Sequence, residues 1–462
     1  MARYHCYWRK VLMCVCTPCI CLALLFVYIT VMLCMDMTTT ATAGKQILEA
    51  HYFVAPGTLR NKSVAALPKT FWKLYSNGDA FWNQLQLAID RRFNPILRPN
   101  NIKMGSEDAT FHESLLSQSF SEVINLEQRN FDKLPQQLQD FMRHMQKRDY
   151  PIVFQPDGVC GAGVKDEKEA PLLLLAIKTT ELSFKNRQAI RQTWGQVGWI
   201  AGQKSNRSRG VESGGYVRRV FLLGKEDPEE LGMNLSELLH MESKHYGDIL
   251  QWDFKDTFFN LTLKDVLFWN WFSHFCNRTH FVLKGDDDVF VNTPKMIAYL
   301  QDQLRKPEAH KTINEFMTGD VIDAAVPHRV NKSKYFIPEG FYKGYYPTYA
   351  GGGGVIYSGV LTQRLHHISK RVHLFPIDDV YVGMCMTRLN AYPIHNPAFL
   401  TFDFPEKEED EPCSYHKILL VHKRSPSQLI RLWADMKKTL PQCWDVPLRA
   451  EIEKVNKPER QD

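Results

Sequence analysis

The densest chemistry in the chain is Lys284-Gly285-Asp286-Asp287-Asp288-Val289-Phe290-Val291, where three acids sit between two apolar, strand-like pieces. If the backbone is extended there, Asp286 and Asp288 share a face and Asp287 points away. Two carboxylates at that spacing suit a hard divalent cation, which prefers oxygen ligands and often keeps phosphate oxygens in its shell. A solvated acidic turn is the simpler alternative, but a strand end flanked by Val-Phe-Val is a poor place for idle charge. A second pair lies in Pro376-Ile377-Asp378-Asp379-Val380-Tyr381. These acids either open a helix and meet its dipole, or supply a carboxylate that takes a proton from an attacking hydroxyl. Before them runs Tyr349-Ala350-Gly351-Gly352-Gly353-Gly354-Val355, whose glycines let backbone approach a bulky ligand or simply form a turn. It lacks the Gly-Lys-Ser/Thr of a phosphate-binding loop. Arg187, Arg191 and Trp194 can share one helix face, either a solvated basic face or guanidiniums and an indole suited to a diphosphate and a stacked ring. His422 follows the apolar run 418–421, a place where a lone histidine is structural as readily as it is a metal ligand.

For these groups to meet, the elements between them must bring them to one edge. Residues 172–177, 218–224, 248–253 and 281–284 read as buried strands, and 187–194, 228–245 and 258–275 as helices. Continuous apolar strands alternating with helices predict an α/β fold with a parallel sheet. Such sheets bind ligands beyond the carboxyl ends of their strands, where the acids of 286–288 fall. Upstream, Phe71, Trp72, Tyr75, Phe81 and Trp82 are interleaved with polar residues, and 113–146 has helical spacing of Leu and Phe. Residues 66–165 therefore read as a mostly helical lead-in packed on a catalytic domain at 166–445, with a tail at 446–462. The tyrosines between 342 and 349 suit an acceptor groove or an aromatic core equally.

The remaining features concern compartment. Of a net charge of +6, Arg3, Arg9 and Lys10 carry +3 inside a cytoplasmic tail at 1–10, which leaves no basic stripe for nucleic acid. Residues 11–35 contain no charge and are long enough, at about 1.5 Å per residue, to span a hydrocarbon core of roughly 30 Å. The basic flank predicts a single-pass type II anchor, followed by a stem at 36–65. Sequons at Asn61, Asn206, Asn234, Asn260, Asn277 and Asn331 all lie beyond that span. Beyond it also lie Cys160, Cys276, Cys385, Cys413 and Cys443, which in an oxidising lumen predict two disulfides and one free thiol, with the pairing left open.

Taken together, these segments resemble glycosyltransferase family 31, the β-1,3-glycosyltransferases. The resemblance runs from about 171 to 443. It rests on Arg187-Gln-Ala-Ile-Arg191-Gln-Thr-Trp194-Gly195, Phe221-Leu-Leu-Gly224, Asp256-Thr-Phe-Phe-Asn260-Leu-Thr-Leu-Lys264, the 284–292 acid segment, the 349–359 glycine stretch and Ile377-Asp378-Asp379-Val380-Tyr381. The glycine stretch, Phe81-Trp82-Asn83, Asn94-Pro95-Ile96-Leu97 and Pro327-His328-Arg329 are most similar to β-1,3-N-acetylglucosaminyltransferases of the poly-N-acetyllactosamine-extending type. The resemblance implies a GT-A-type fold, a UDP-GlcNAc donor, Mn²⁺ or Mg²⁺, a galactose-terminated glycan acceptor and an inverting reaction. It further implies that Asp379 is the catalytic base and that Asp288 and His422 are metal ligands. Lys178, Arg187, Arg191, Asp286, Asp287, Gly352 and Gly353 would lie at the nucleotide sugar. A Golgi membrane setting, with homo- or hetero-oligomers with other glycosyltransferases, follows as an expectation. A galactosyltransferase of the same family, a non-catalytic sugar-binding relative and a glycoside hydrolase with paired carboxylates are the competing readings.

Overall fold

The computed structural model describes residues 80–93, 134–156, 158, 160, 170–203, 214–405, 407–438, 441–443 and 445–450. The expected anchor at 11–35, the stem, Asn61 and Asn206 lie outside the described residues. No helix among the described residues is long and apolar enough to cross a membrane.

Helices α1 (Phe81–Phe93) and α2 (Gln136–His144) precede strand β1 (Ile152–Phe154). There follow β2 (Leu173–Lys178), α3 (Phe184–Gln192), β3 (Gly198–Ala201), β4 (Gly214–Lys225), α4 (Pro228–Leu231), α5 (Ser236–Tyr246), β5 (Ile249–Lys255), α6 (Leu261–Phe275) and β6 (Phe281–Asp286). The second half contains β7 (Phe290–Val291), α7 (Thr293–Arg305), α8 (Ala309–Thr312), β8 (Met317–Gly319), β9 (Val321–Ile322), β10 (Tyr349–Ala350) and β11 (Gly354–Ser358). It closes with α9 (Gly359–Ser369), α10 (Asp378–Arg388), β12 (Ile394–His395), β13 (Phe399–Leu400), β14 (Leu420–Val421) and α11 (Pro426–Lys437). The helix expected over 228–245 is two helices, because Gly232 takes a left-handed φ of 67° and ends α4.

The main sheet has the order β1-β5-β4-β2-β6-β11-β8-β12, with β3 paired to β4. The expected parallel run is present in β5-β4-β2-β6. The sheet as a whole is mixed, since β11 lies antiparallel to β6 and β8. That reversal has a positional cause: β11 starts at Gly354 opposite Gly285, so the glycine stretch enters from the same edge at which β6 delivers its acids.

Alternation along β2 feeds two cores. Leu174 and Ala176 pack with α1, α6, α9 and α10, while Leu173, Leu175 and Ile177 pack with residues of α3, α7 and α11. Each fully buried leucine there contributes roughly 1.5–3 kcal/mol relative to exposure.

The lead-in does more than pack as a helical layer. Its residues 152–154 form β1, which pairs with β5 at the edge of the main sheet. Cys160 is joined to Cys276, Cys413 is joined to Cys443, and Cys385 is buried and free. Helix α1 is stitched to segments that surround α10. The Phe81 and Trp82 amides donate to the Gly340 and Phe341 carbonyls at 2.8 and 2.9 Å, and Trp82 Nε1 donates to Leu374 O at 3.0 Å. Gln86 Nε2 donates to Arg371 O and Gln86 Oε1 accepts from His373 N. Arg388, at the end of α10, grips Asp90 with two bonds of 2.9 and 2.7 Å.

Candidate active site

Strand β6 carries Asp286 to the sheet edge and then ends in a turn at Asp287 and Asp288. The backbone is therefore not extended through the acids as expected, yet Asp286 and Asp288 still converge while Asp287 departs. The turn rather than the pleat separates them. Asp287 is tied back to the start of α3: Thr179 Oγ1 and Asn186 Nδ2 both donate to its carboxylate, and Asn186 Nδ2 also reaches its carbonyl.

The third member of the cluster arrives through a small sheet. Strand β14 pairs antiparallel with β7, Val421 opposite Phe290, which sets His422 beside Asp288. Its ring is fixed from behind, where Nδ1 lies 3.0 Å from the Thr401 carbonyl. A carbonyl can only accept, so Nδ1 carries the proton and Nε2 faces the acids, 3.2 Å from Asp288 Oδ1 and 4.0 Å from Asp286 Oδ2. One ligand atom from each of Asp286, Asp288 and His422 lies within 4.8 Å of the others. Oxygen ligands from two carboxylates with an imidazole oriented by a backbone carbonyl fit a divalent cation.

Helix α10 supplies the second pair. Asp378 and Asp379 do open a helix, and they also face the site. Lys178 Nζ bridges Asp378 at 2.6 Å and Asp286 at 3.1 Å. Lys284 Nζ lies 2.7 Å from Asp265 of α6, 3.6 Å from Asp378 and 3.7 Å from Asp379. Burial opposes the charge on both lysines, but the surrounding acids outweigh it and hold both ammoniums above their ordinary value. The two acids of α10 are driven apart. Burial disfavours the Asp378 anion, but Lys178 and Lys284 overcome it and hold that carboxyl well below the usual range. Burial, followed by the neighbouring Asp378 charge, lifts Asp379 well above it. The Asp379 side chain keeps 16% of its exposure, against 7% for Asp378, so Asp379 is the member a substrate can reach.

The glycine stretch runs between these groups. A Cβ at Gly352 would stand 3.0 Å from Asp379 Oδ2, and one at Gly353, whose φ is +89°, would meet the His422 ring at 3.0–3.3 Å. Gly353 O also accepts from the Asp286 amide at 3.0 Å. These two positions must be bare because the Asp379 and His422 side chains occupy the space.

The arginines of α3 are placed elsewhere. Arg187 donates to both oxygens of Glu242 and to the carbonyls of Thr180 and Glu181. Arg191 donates to Glu242 and to both oxygens of Asp248, and Arg219 also binds Asp248. In this structure their donors are met by protein acceptors. Tyr342 and Tyr346 are core residues that meet Phe375 edge to face, whereas Tyr349 is half-buried. Among the sequons, Asn234, Asn277 and Asn331 are exposed. Asn260 is half-buried, donates to Lys255 O at 2.8 Å, and its sequon threonine Thr262 is buried against Phe375 O. Sequence reasoning gave Lys284 and Asp265 no role. The available signal was a charged residue in an otherwise apolar strand or helix, as in Asp265-Val-Leu-Phe-Trp269.

Residues 185–397 match the family described as galactosyltransferase. The chain is 41% identical over 384 residues to the human N-acetyllactosaminide β-1,3-N-acetylglucosaminyltransferase 2, covering 83% of this chain and 91% of that protein. It is 40% identical to the human N-acetyllactosaminide β-1,3-N-acetylglucosaminyltransferase 4, covering 65% of this chain and 72% of that protein. It is 36% identical to the human acetylgalactosaminyl-O-glycosyl-glycoprotein β-1,3-N-acetylglucosaminyltransferase, covering 68% and 77%.

Proposed function

The chain belongs to the galactosyltransferase family, and on that premise we propose that it transfers GlcNAc from UDP-GlcNAc, with inversion, to the 3-hydroxyl of a terminal galactose on lactosamine-type glycans. The observation that carries this reading is the meeting, across one glycine turn, of a cation-type cluster and a reachable carboxyl of raised basicity. Asp286, Asp288 and His422 would hold a divalent cation, Mn²⁺ or Mg²⁺, at the donor side of the site. When bound there, it neutralises charge growing on the departing UDP. Asp379 accepts the proton of the acceptor hydroxyl as that oxygen attacks the anomeric carbon from the face opposite the leaving group. Lys178 and Lys284 keep Asp378 ionised and fixed, and its charge in turn keeps Asp379 basic. Gly352 leaves Asp379 room to approach. Arg187 and Arg191 have no part in this scheme, since protein acceptors hold their donors.

The test supplies the full-length chain with UDP-GlcNAc or UDP-Gal, Mn²⁺ or chelator, and a lactosamine acceptor, and reads product mass and linkage. Metal-dependent gain of one β-1,3-linked N-acetylhexosamine is expected. Preference for UDP-Gal would overturn the donor assignment, and glycan cleavage without any nucleotide would overturn the reaction class.

The setting proposed is a Golgi membrane, with 11–35 as a type II anchor and the catalytic domain lumenal. Two disulfides and the exposed sequons Asn234, Asn277 and Asn331 support an oxidising, glycosylating compartment. A tagged chain should resist protease in intact vesicles and shift in mass with an N-glycanase; a cytosolic, unglycosylated chain would refute this.

A further inference from the structure

A base alone does not hold an acceptor sugar in place; the attacking hydroxyl needs a second contact to fix its direction. Tyr349 stands where such a contact is needed. It opens β10, which pairs antiparallel with β9, Tyr349 opposite Ile322, and the Gly351 amide just beyond donates to Asp320 O at 2.7 Å. On its other side the residue lies directly on α10. A Cβ at Gly383 would stand 2.9 Å from Tyr349 Cβ and 2.8 Å from Thr348 O, so the helix must be bare there for β10 to lie this close. Gly383 is one helical turn beyond Asp379 and on the same face. Gly352, a short way past Tyr349 in the chain, lies against Asp379 itself. Two contacts therefore fix the Tyr349 segment to the helix that presents the base.

The Tyr349 ring is half-buried, while Tyr346, its edge-to-face neighbour at 6.4 Å, is buried. The Tyr342 hydroxyl donates to Tyr345 O at 2.8 Å, but among the described residues no protein group hydrogen-bonds the Tyr349 hydroxyl. Burial, and after it the nearby Asp379 charge, raises that phenol to about 12, so at neutral pH it keeps its proton and can donate. A partly buried phenol whose ring is packed and whose polar tip is unmatched by protein suits a polar group that arrives with a ligand.

The order of groups along the glycine turn decides which substrate that is. From Tyr349 the chain passes Asp379 at Gly352 and then the His422 ring at Gly353. In a displacement with inversion, the leaving diphosphate and the attacking hydroxyl lie on opposite sides of the anomeric carbon, and the base is on the hydroxyl's side. The His422 end belongs to the donor, so Tyr349, before Asp379, falls to the acceptor.

We propose that the Tyr349 hydroxyl hydrogen-bonds a ring hydroxyl of the acceptor galactose adjacent to the attacking 3-hydroxyl, and so orients that hydroxyl toward Asp379. This rests on the transferase reading. The contact binds and aims the acceptor; the proton still passes to Asp379.

The test measures transfer by the full-length chain, with Mn²⁺ and UDP-GlcNAc, to lactosamine and to its 2-deoxy- and 4-deoxygalactose analogues, for wild type and Tyr349→Phe. Phenylalanine keeps the ring and its seat on Gly383, so the melting temperature should stay at the wild-type value. The KM for lactosamine should rise roughly 3- to 10-fold, the range of one neutral hydrogen bond, with metal-dependent UDP affinity unchanged. One of the two deoxy penalties seen in the wild type should disappear in Tyr349→Phe, because the bond it removes is already gone. A wild-type KM in the variant, or both deoxy penalties persisting in full, would overturn the proposal. A loss of UDP affinity in Tyr349→Phe would overturn it too, by moving the phenol to the donor. A wild-type chain that transfers to no galactose-terminated acceptor would defeat the transferase reading itself, and the proposal with it.

Discussion

Two charge clusters flank the parallel core of the sheet, and they are assembled on opposite terms. Around Arg187, Arg191 and Arg219, each guanidinium is met by Glu242, Asp248 or backbone carbonyls, and side-chain exposure stays at 8% or below. At the carboxyl edge, Asp265, Asp286, Asp287, Asp288, Asp378 and Asp379 face only Lys178 and Lys284 among the lysines bonded to them, and Asp286 and Asp288 keep 32% and 42% exposure. The first cluster is complete without a ligand. The second holds more negative charge than its lysines offset and leaves it reachable, the condition in which a cation, a diphosphate and an acceptor complete the set. Charge alone does not mark a site; unmatched, accessible charge does.

The sharpest way to break this contrast is at the unmatched end. Asp379→Asn should lower turnover by about 10²–10⁴-fold, the usual contribution of a general base, while the melting temperature and metal-dependent UDP binding are retained. Near-normal turnover in a folded variant would remove Asp379 from the chemistry. At the matched end, Asp248→Ala strands two buried guanidiniums and should cost about 3–5 kcal/mol of stability in a denaturant titration. If the surviving folded protein lost metal-dependent UDP binding instead, the arginines would belong to the site after all. Gly352→Ala, which pushes a methyl group against Asp379, should lower kcat by up to about 10²-fold with little change in donor affinity. The smallest effect is in pH. Because Asp378 raises Asp379, and the base works ionised, kcat/KM rises with pH through the titration of that pair. Asp378→Asn removes the like charge and should move this limb to lower pH, and an unmoved limb would separate the two acids.

Much of this frame was legible beforehand. Strand β2 up to Ile177, Val220–Leu223 of β4 and Phe281–Leu283 of β6 are continuous apolar runs, the pattern of strands covered on both faces. The divergence of Asp287 from its neighbours was legible as well, although a turn rather than pleating produces it. What escaped the sequence is whatever depends on distant partners. Arg187 and Arg191 share a helix face, but Glu242 and Asp248 lie more than fifty residues on, and no periodicity links them. The antiparallel entry of β11 was hidden because a run such as Val355-Ile356-Tyr357 carries no direction. Strand β1, with three residues, is too short to alternate. The reason for bare positions at 352 and 353 is steric and appears only when Asp379 and His422 are in place. The grip of Asp90 on Arg388, nearly three hundred residues apart, likewise shows that α1 helps to hold the helix that presents Asp378 and Asp379.

The most direct measurement is Mn²⁺ binding to the full-length chain in the presence of UDP, followed by electron paramagnetic resonance, beside Asp288→Asn with His422→Ala. The account predicts one bound ion per chain in the wild type, lost in the double variant at an unchanged melting temperature. Equal Mn²⁺ binding in the folded double variant would contradict it, and the cluster at the end of β6 would not be the metal centre.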